Sequence, residues 1–319
     1  MSAVNLIDAK PKPPHPDGPP HLFDRQLLRQ RRNRASREFQ DYDFLHKRVA
    51  EDLLDRVETV SRDFETCLVL GGGGAVGRAL AERPAARAKI GTVIEADLSP
   101  AMAAGSVAQS CVLDEEALPL KEASVDLVLS CLSLHWCNDL VGALIQINYA
   151  LKPDGFFAGA LFGGATLSEL RDSLKGAETA LGREPTARVS PFADAIDIAG
   201  LLSRAGFAMP VSDVDKITAR YGNAFVLMRD LRKMGETSAL VQRSRTPATK
   251  ALMVKTAEVY AERYAHEDRR IPATFEVVHC AGWGPHPDQP KPKRPGSATH
   301  SLAEAVGSQE ESAGEKAGG

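Results

Sequence analysis

The sequence predicts an α/β fold: a doubly wound, mostly parallel sheet with helices on both faces. Three observations predict it. Between Cys67 and Gly164, short apolar runs recur (CLVLG, TVIEAD, VDLVLSCLSL, GFFAGALF), each reading as a strand buried on both faces. Amphipathic or apolar helical stretches such as LVGALIQINYAL separate or follow them, which is the grammar of crossover connections. A glycine-rich stretch, LVLGGGGAVGRAL over residues 68–80, closes the first strand and opens a helix.

Composition fits one large domain with additions, or two small ones. The 319 residues are 43% hydrophobic and 25% charged, as in ordinary soluble globular proteins. The net charge of −3 gives no global drive towards nucleic acid, and no apolar run approaches the roughly 18 residues of a membrane-spanning helix. The first twenty residues carry neither the apolar core of a secretory signal nor the arginines of a transit peptide. Cys67, Cys111, Cys131, Cys137 and Cys280 are scattered without a C-x-x-C pair, so reduced, mostly buried thiols are expected. The expected location is the bacterial cytoplasm, or the mitochondrial matrix if the source is eukaryotic.

Along the chain, residues 1–21 are proline-rich, without periodic apolar positions, and are expected to be disordered. Residues 22–60 form a basic helical segment. Its second half repeats Phe44, Leu45, Val49, Leu53, Leu54 and Val57 at helical spacing, so one face should pack on the main body. Its first half concentrates Arg25, Arg29, Arg31, Arg32, Arg34 and Arg37, which suits either a solvated face or a docking surface for an acidic partner. After the sheet come two helices (LSELRDSLKGAETAL and DAIDIAGLLSRAGF), a strand in SDVDKITARY, and a helical insertion at about 221–266. ATFEVVHCAGW is the last strand, and residues 284–319 form a tail expected to be disordered apart from possible local docking of RPGSATHSLAEAV.

Gly72, Gly74 and Gly77 spell G-x-G-x-x-G, with Glu95 and Asp97 at the end of the second strand. Glycines here permit tight turns and let a ligand approach the backbone, beside the following helix N-terminus. Several adenosine cofactors share that device, and all offer ribose hydroxyls to a carboxylate, for which Asp97 at the start of DLSPAM is preferred. Asp114 and Glu115, after the third strand, are placed to accept from an adenine amino group. The Tyr-x-x-x-Lys pair of a short-chain reductase is missing.

The order of G-rich loop, D-L-S, D-x-E-x-L-P, D-L-V-L-S and L-K-P-D-G resembles the class I S-adenosylmethionine-dependent methyltransferases. LFDRQLLRQRRNRA, SCLSLHWCNDL, FGGATLSELR, LMRDLRKMGE and RIPATFEVV extend the likeness, from Leu22 to Trp283, to the mitochondrial complex I assembly factors with a methyltransferase fold; malonyl-carrier-protein methyltransferases are more distant. The resemblance implies a Rossmann-like methyltransferase domain over 61–283, with S-adenosylmethionine as cofactor. It places Gly71, Gly72, Gly73, Asp97, Leu98, Asp114, Glu115 and Leu132 around that cofactor. Two positions depart from D-x-G-x-G-x-G: Val69 replaces the acid and Ala75 the last glycine. The acid helps to hold the methionine ammonium, and losing such a charge-assisted bond, about 1.5–3 kcal/mol, weakens affinity roughly ten- to a hundred-fold.

The resemblance also implies a protein partner, a respiratory complex I subunit, and hydroxylation of one of its arginines. Methyl transfer asks mainly for alignment of nucleophile and methyl carbon, so no catalytic residue stands out. A non-haem iron site would need two histidines and a carboxylate, and no metal site is expected. His135 and Trp136, in SLHWCND, sit where a loop would meet the cofactor, and either pack that loop or touch substrate. The helices between Tyr221 and His266 are candidates for a substrate-selecting lid, with Arg229, Arg232 and Lys233 on a solvated or partner-facing side. Three functions remain open: modification of a protein side chain during complex I assembly, methylation of a small molecule or acyl carrier protein, and assembly chaperoning without catalysis.

Overall fold

The computed structural model describes residues 21–192, 195–244, 247–290, 301, 307 and 308. The disorder expected of 1–21 (all but His21) and of most of the tail, and the docking of most of RPGSATHSLAEAV, fall outside the described residues.

Three helices lead into the sheet: α1 (Arg25–Ala35), α2 (Phe39–Tyr42) and α3 (Phe44–Thr59). Asp24 starts α1 by accepting from the Leu27 amide at 2.9 Å, satisfying a donor that the first turn leaves free. Then follow β1 (Phe64–Gly71), α4 (Ala75–Glu82), α5 (Pro84–Lys89), β2 (Ile90–Asp97), α6 (Pro100–Ala103), β3 (Gln109–Val112), β4 (Val125–Cys131), α7 (Leu140–Ala150) and β5 (Leu151–Phe162). The remainder is α8 (Ser168–Ala180), α9 (Ala195–Arg204), β6 (Ala208–Tyr221), α10 (Ala224–Met234), α11 (Lys250–Tyr264) and β7 (Ile271–Trp283).

The seven strands form one sheet in the order β3-β2-β1-β4-β5-β7-β6. β1 to β5 run parallel, and β7 enters antiparallel between β5 and β6. Alternate residues of β1 serve opposite faces. Cys67 and Val69 pack with Leu45, Val49 and Leu53 of α3, whereas Leu68 and Leu70 pack with Leu144 and Ile147 of α7 and Leu202 of α9. Helices therefore cover both faces, as the apolar runs predict. The Lys-Pro-Asp-Gly turn falls inside β5 rather than before it: Leu151 pairs with Val125, Asp154 takes φ +63°, and pairing resumes at Phe156 opposite Leu127. The helices of the insertion, α10 and α11, lie between β6 and β7 in the chain. Beyond Pro285 the chain is a separate unit, whose described part includes a turn in which the His286 amide donates to Gln289.

Candidate functional site

The carboxyl ends of β1, β2 and β4 converge on one edge of the sheet, the usual place for a ligand in a doubly wound fold. Gly71, Gly72, Gly73 and Gly74 all adopt positive φ, from +55° to +81°, after which α4 begins. Side chains rarely tolerate that run. Space is also short: a Cβ on Gly71 would lie 2.5 Å from Ser133 Cβ, and one on Gly73 would lie 2.6 Å from the Phe39 ring. Gly77 supports the loop from the first turn of α4. Its amide donates to Glu95 Oε1 at 2.8 Å, and a Cβ there would meet the same carboxylate at 2.6 Å. Glu95 thus belongs to the loop's support, which leaves Asp97 as the acid at the strand end. Val69 is fully buried in the core, and Ala75 opens α4.

Asp97 accepts from the Ser99 amide at 2.8 Å and from two nitrogens of Arg32, Nε at 3.1 Å and a terminal nitrogen at 2.6 Å. Asp114 and Glu115 both receive Arg25, at 2.6 Å for Asp114. Of the arginine run, Arg29, Arg34 and Arg37 are exposed, but Arg25 and Arg32 turn inward. Neither expectation for the run, solvated face or outside acidic partner, covers these two: their acids belong to the same chain. Burial works against the charge of each, yet the carboxylates outweigh it and hold both guanidinium pKa values above the ordinary one. Leu98 packs with Phe23, Leu28 and Trp136 in a small cluster that seats α1 on this edge. Leu132, at φ +49°, is buried and ties its amide to Ala160 at 3.0 Å.

His135 and Trp136 are buried in a single turn of 3-10 helix after β4. They meet a residue that sequence reasoning missed. Glu236 follows Gly235, the left-handed cap of α10, and its side chain is 3% exposed. Trp136 Nε1 donates to Glu236 Oε2 at 3.1 Å, and His135 Nε2 lies 3.3 Å from that oxygen. Oε1 takes no hydrogen bond; Arg32 and His46 approach it at 3.6 and 3.8 Å. Burial pushes the Glu236 pKa up, but His135, His46 and Arg32 overcome it and leave it below the usual carboxylate value. Burial holds His46 neutral, its pKa pushed down to about 4. The signal available in the sequence was the indole of Trp136, a donor that needs a buried acceptor.

A cleft of about 310 Å³ opens beside this cluster, walled by Trp136, Leu170, Phe192, Met228 and Leu231, with Glu236 among its lining. Among the described residues no three His, Cys, Asp or Glu side chains are arranged to hold a metal ion. His266 and Asp268, an H-x-D string, lie exposed after α11.

A methyltransferase domain family matches residues 68–159. The mitochondrial arginine-hydroxylase NDUFAF5 of Mus musculus is 40% identical over 291 residues, covering 89% of this chain and 83% of that protein. The chain belongs to the NDUFAF5 family. Its relatives include a malonyl-[acyl-carrier protein] O-methyltransferase of Gallionella capsiferriformans, 31% identical over 282 residues, 83% of this chain and 93% of that one. The YcgJ protein of Bacillus subtilis shares the fold at a TM-score of 0.50 and 12% identity, over 74% of this chain and all but 1% of its own. The chain has a class I methyltransferase fold and is an enzyme of the S-adenosylmethionine-dependent type. The residues present fit that cofactor: left-handed glycines beside a strand end, and carboxylates after β2 and β3 where ribose hydroxyls and an adenine amino group need acceptors. An adenosine on this edge competes with Arg25 and Arg32 for those acids. Among the described residues no helix is long and apolar enough to cross a membrane.

Proposed function

We propose that this protein modifies an arginine side chain of a respiratory complex I subunit, or of the bacterial NADH:quinone oxidoreductase, during assembly. It works in the bacterial cytoplasm, or in the mitochondrial matrix in a eukaryote. The observation that carries this reading is the adjacency of two acidic sites. Asp97 suits the cofactor, Glu236 borders an apolar cleft suited to a side chain, and one guanidinium, that of Arg32, contacts both. The 40% identity to a protein named an arginine-hydroxylase supports the same substrate class.

S-adenosylmethionine supplies an activated methyl group when bound. The chain's own residues then divide the work. Gly71, Gly72 and Gly73 admit the cofactor to the backbone, Asp97 holds its ribose, Asp114 and Glu115 hold its adenine, and Leu98 and Leu132 enclose it. His135 and Trp136 fix Glu236 at the cleft, and the helices of the insertion (221–266) close over the substrate. The carrier-protein alternative is matched less strongly, at 31% identity against 40%.

Calorimetric titration with S-adenosylmethionine, followed by intact-mass analysis of the copurified subunit, tests the proposal. Binding heat and a subunit heavier by one methyl group or one oxygen atom, lost when its arginine is replaced, are expected. Absence of binding, or an unmodified subunit, sinks it.

A further inference from the structure

We propose that Glu236 is the receptor for the guanidinium of the substrate arginine, the cleft beside α8 and α10 taking its aliphatic stem. This rests on the arginine reading above and assigns its specificity to one carboxylate. Among the described lining residues Glu236 is the single acid. It is buried, yet one of its oxygens takes no hydrogen bond. A buried acceptor left unmatched is costly unless a ligand completes it, and a carboxylate is matched best by the planar fork of a guanidinium. Trp136 and His135 occupy the other oxygen and fix the carboxylate's orientation.

The chain itself shows that a guanidinium fits there. Arg32 stands 3.6 Å from the unmatched oxygen while its hydrogen bonds go to Asp97. Arg32 is not part of the cleft lining, whereas Glu236 is, so the cleft reaches this carboxylate from a side that Arg32 does not cover. The walls suit its stem: Trp136, Phe192, Leu170, Met228 and Leu231 offer apolar surface over which methylene groups pack. The lining also contains Arg31, Arg188, Arg232 and Arg243. Arg188 pairs with Glu178 at 2.7 Å, Arg243 faces Asp24 at 3.4 Å, and Arg31 donates to the Ser238 carbonyl. A positive surround with a negative receptor selects an arginine flanked by acidic residues and disfavours one in a basic segment.

The test uses the full chain saturated with S-adenosylhomocysteine and a blocked Glu-Arg-Glu tripeptide, compared with its citrulline counterpart, which keeps the shape and loses the charge. The arginine peptide should bind about ten- to a hundred-fold more tightly, the range for a charge-assisted hydrogen bond. Glu236→Gln should erase that preference at saturating S-adenosylhomocysteine. Equal binding of the two peptides to the unaltered protein overturns the proposal, and this arm stands even if the variant fails to fold. Arginine preference retained in Glu236→Gln overturns it too. If the variant instead loses affinity for S-adenosylhomocysteine and keeps the preference, Glu236 serves the cofactor's ammonium and the proposal falls. Subunit mass separates the two levels: a modified subunit with indifferent peptide binding removes Glu236 but keeps the arginine reading, whereas an unmodified subunit removes both.

Discussion

Ion pairs occur in two settings in this molecule, and they differ in what surrounds them. Under α1, Arg32 and Asp97 meet with side chains 4% and 3% exposed. Between α3 and β6, Arg56 meets Asp213 and Arg48 meets Asp215, with one partner of each pair more than half exposed. The chemistry is the same, guanidinium on carboxylate. Burial makes the first pair a liability unless both members stay together, because each charge has been taken out of water. The second keeps water as an alternative partner. The same difference in burial lets one arginine-rich segment be solvated at Arg29, Arg34 and Arg37 and committed at Arg25 and Arg32.

The strongest way to break this contrast is to remove one buried partner. Arg32→Ala leaves Asp97 and Glu236 short of a cation and should cost about 3–5 kcal/mol in urea unfolding. Replacing both members, Arg32→Met with Asp97→Leu, should recover the part of that loss due to Asp97, while Glu236 still lacks the Arg32 charge. The double variant should still fail to bind S-adenosylmethionine, because Asp97 is gone. A single variant as stable as the parent would mean that the seam is wetter than its exposure indicates.

Acid sharpens the contrast next. Burial, partly countered by Glu236 and reinforced by Arg32, moves His46 from 6.5 down to about 4. Between those values the unfolded chain takes up a proton that the folded chain refuses, so stability falls as the pH drops from 6.5 towards 4. At about 1.4 kcal/mol per unit, the loss approaches about 3 kcal/mol. Glu236 acts lower: its pKa lies below the ordinary carboxylate value, so its contribution is present above that value and disappears as pH falls through the lowered one. His46→Leu should flatten the decline between pH 6.5 and 4 in urea midpoints. Parallel profiles for variant and parent would refute the neutral, buried state of His46.

The alternating pattern of apolar runs and helices was enough to predict the parallel sheet, because strands buried on both faces must be apolar throughout. Val125 to Cys131, buried at every position, is the plainest example. Asp97, Asp114 and Glu115 were legible for a related reason: strand ends in this fold face one edge, so strand order alone brings them together. Arg25, Arg32, His46 and Glu236 were not, since their meeting depends on how α1, α3 and α10 dock, which no local periodicity encodes. Arg32 and Glu236 are over two hundred positions apart in the chain yet 3.6 Å apart in space. β5 begins at Leu151, ahead of the GFFAGALF run, because proline and glycine mark an irregularity without saying whether strand pairing stops there.

Gly77 probes a smaller effect on the edge of the same seam. Alanine normally favours a helix by about 1 kcal/mol over glycine. Here its Cβ would press the Glu95 carboxylate, which the Gly77 amide and the Ser106 hydroxyl both hold. Gly77→Ala should therefore lose about 1–2 kcal/mol net, the helix gain being outweighed by crowding and a weakened hydrogen bond. Adding Glu95→Ala should let the helix gain reappear, so that Gly77→Ala becomes neutral or better in that background. A stabilised single variant would show that Glu95 yields freely.

The exposed pairs close the comparison from the other side. β6 is an edge strand whose residues alternate between half-buried and exposed, and Asp213 and Asp215 lie where charges also discourage pairing with another chain. Asp213→Ala frees Arg56 into water rather than stranding it, so the change should be about 0.2–1 kcal/mol in urea unfolding. It should shrink further as salt rises past roughly 0.1 M, where screening acts over about 10 Å. The Arg32 variant should respond far less to salt, because its partners are shielded from mobile ions. A salt-insensitive loss at Asp213 as large as that at Arg32 would show that something other than burial separates the two settings.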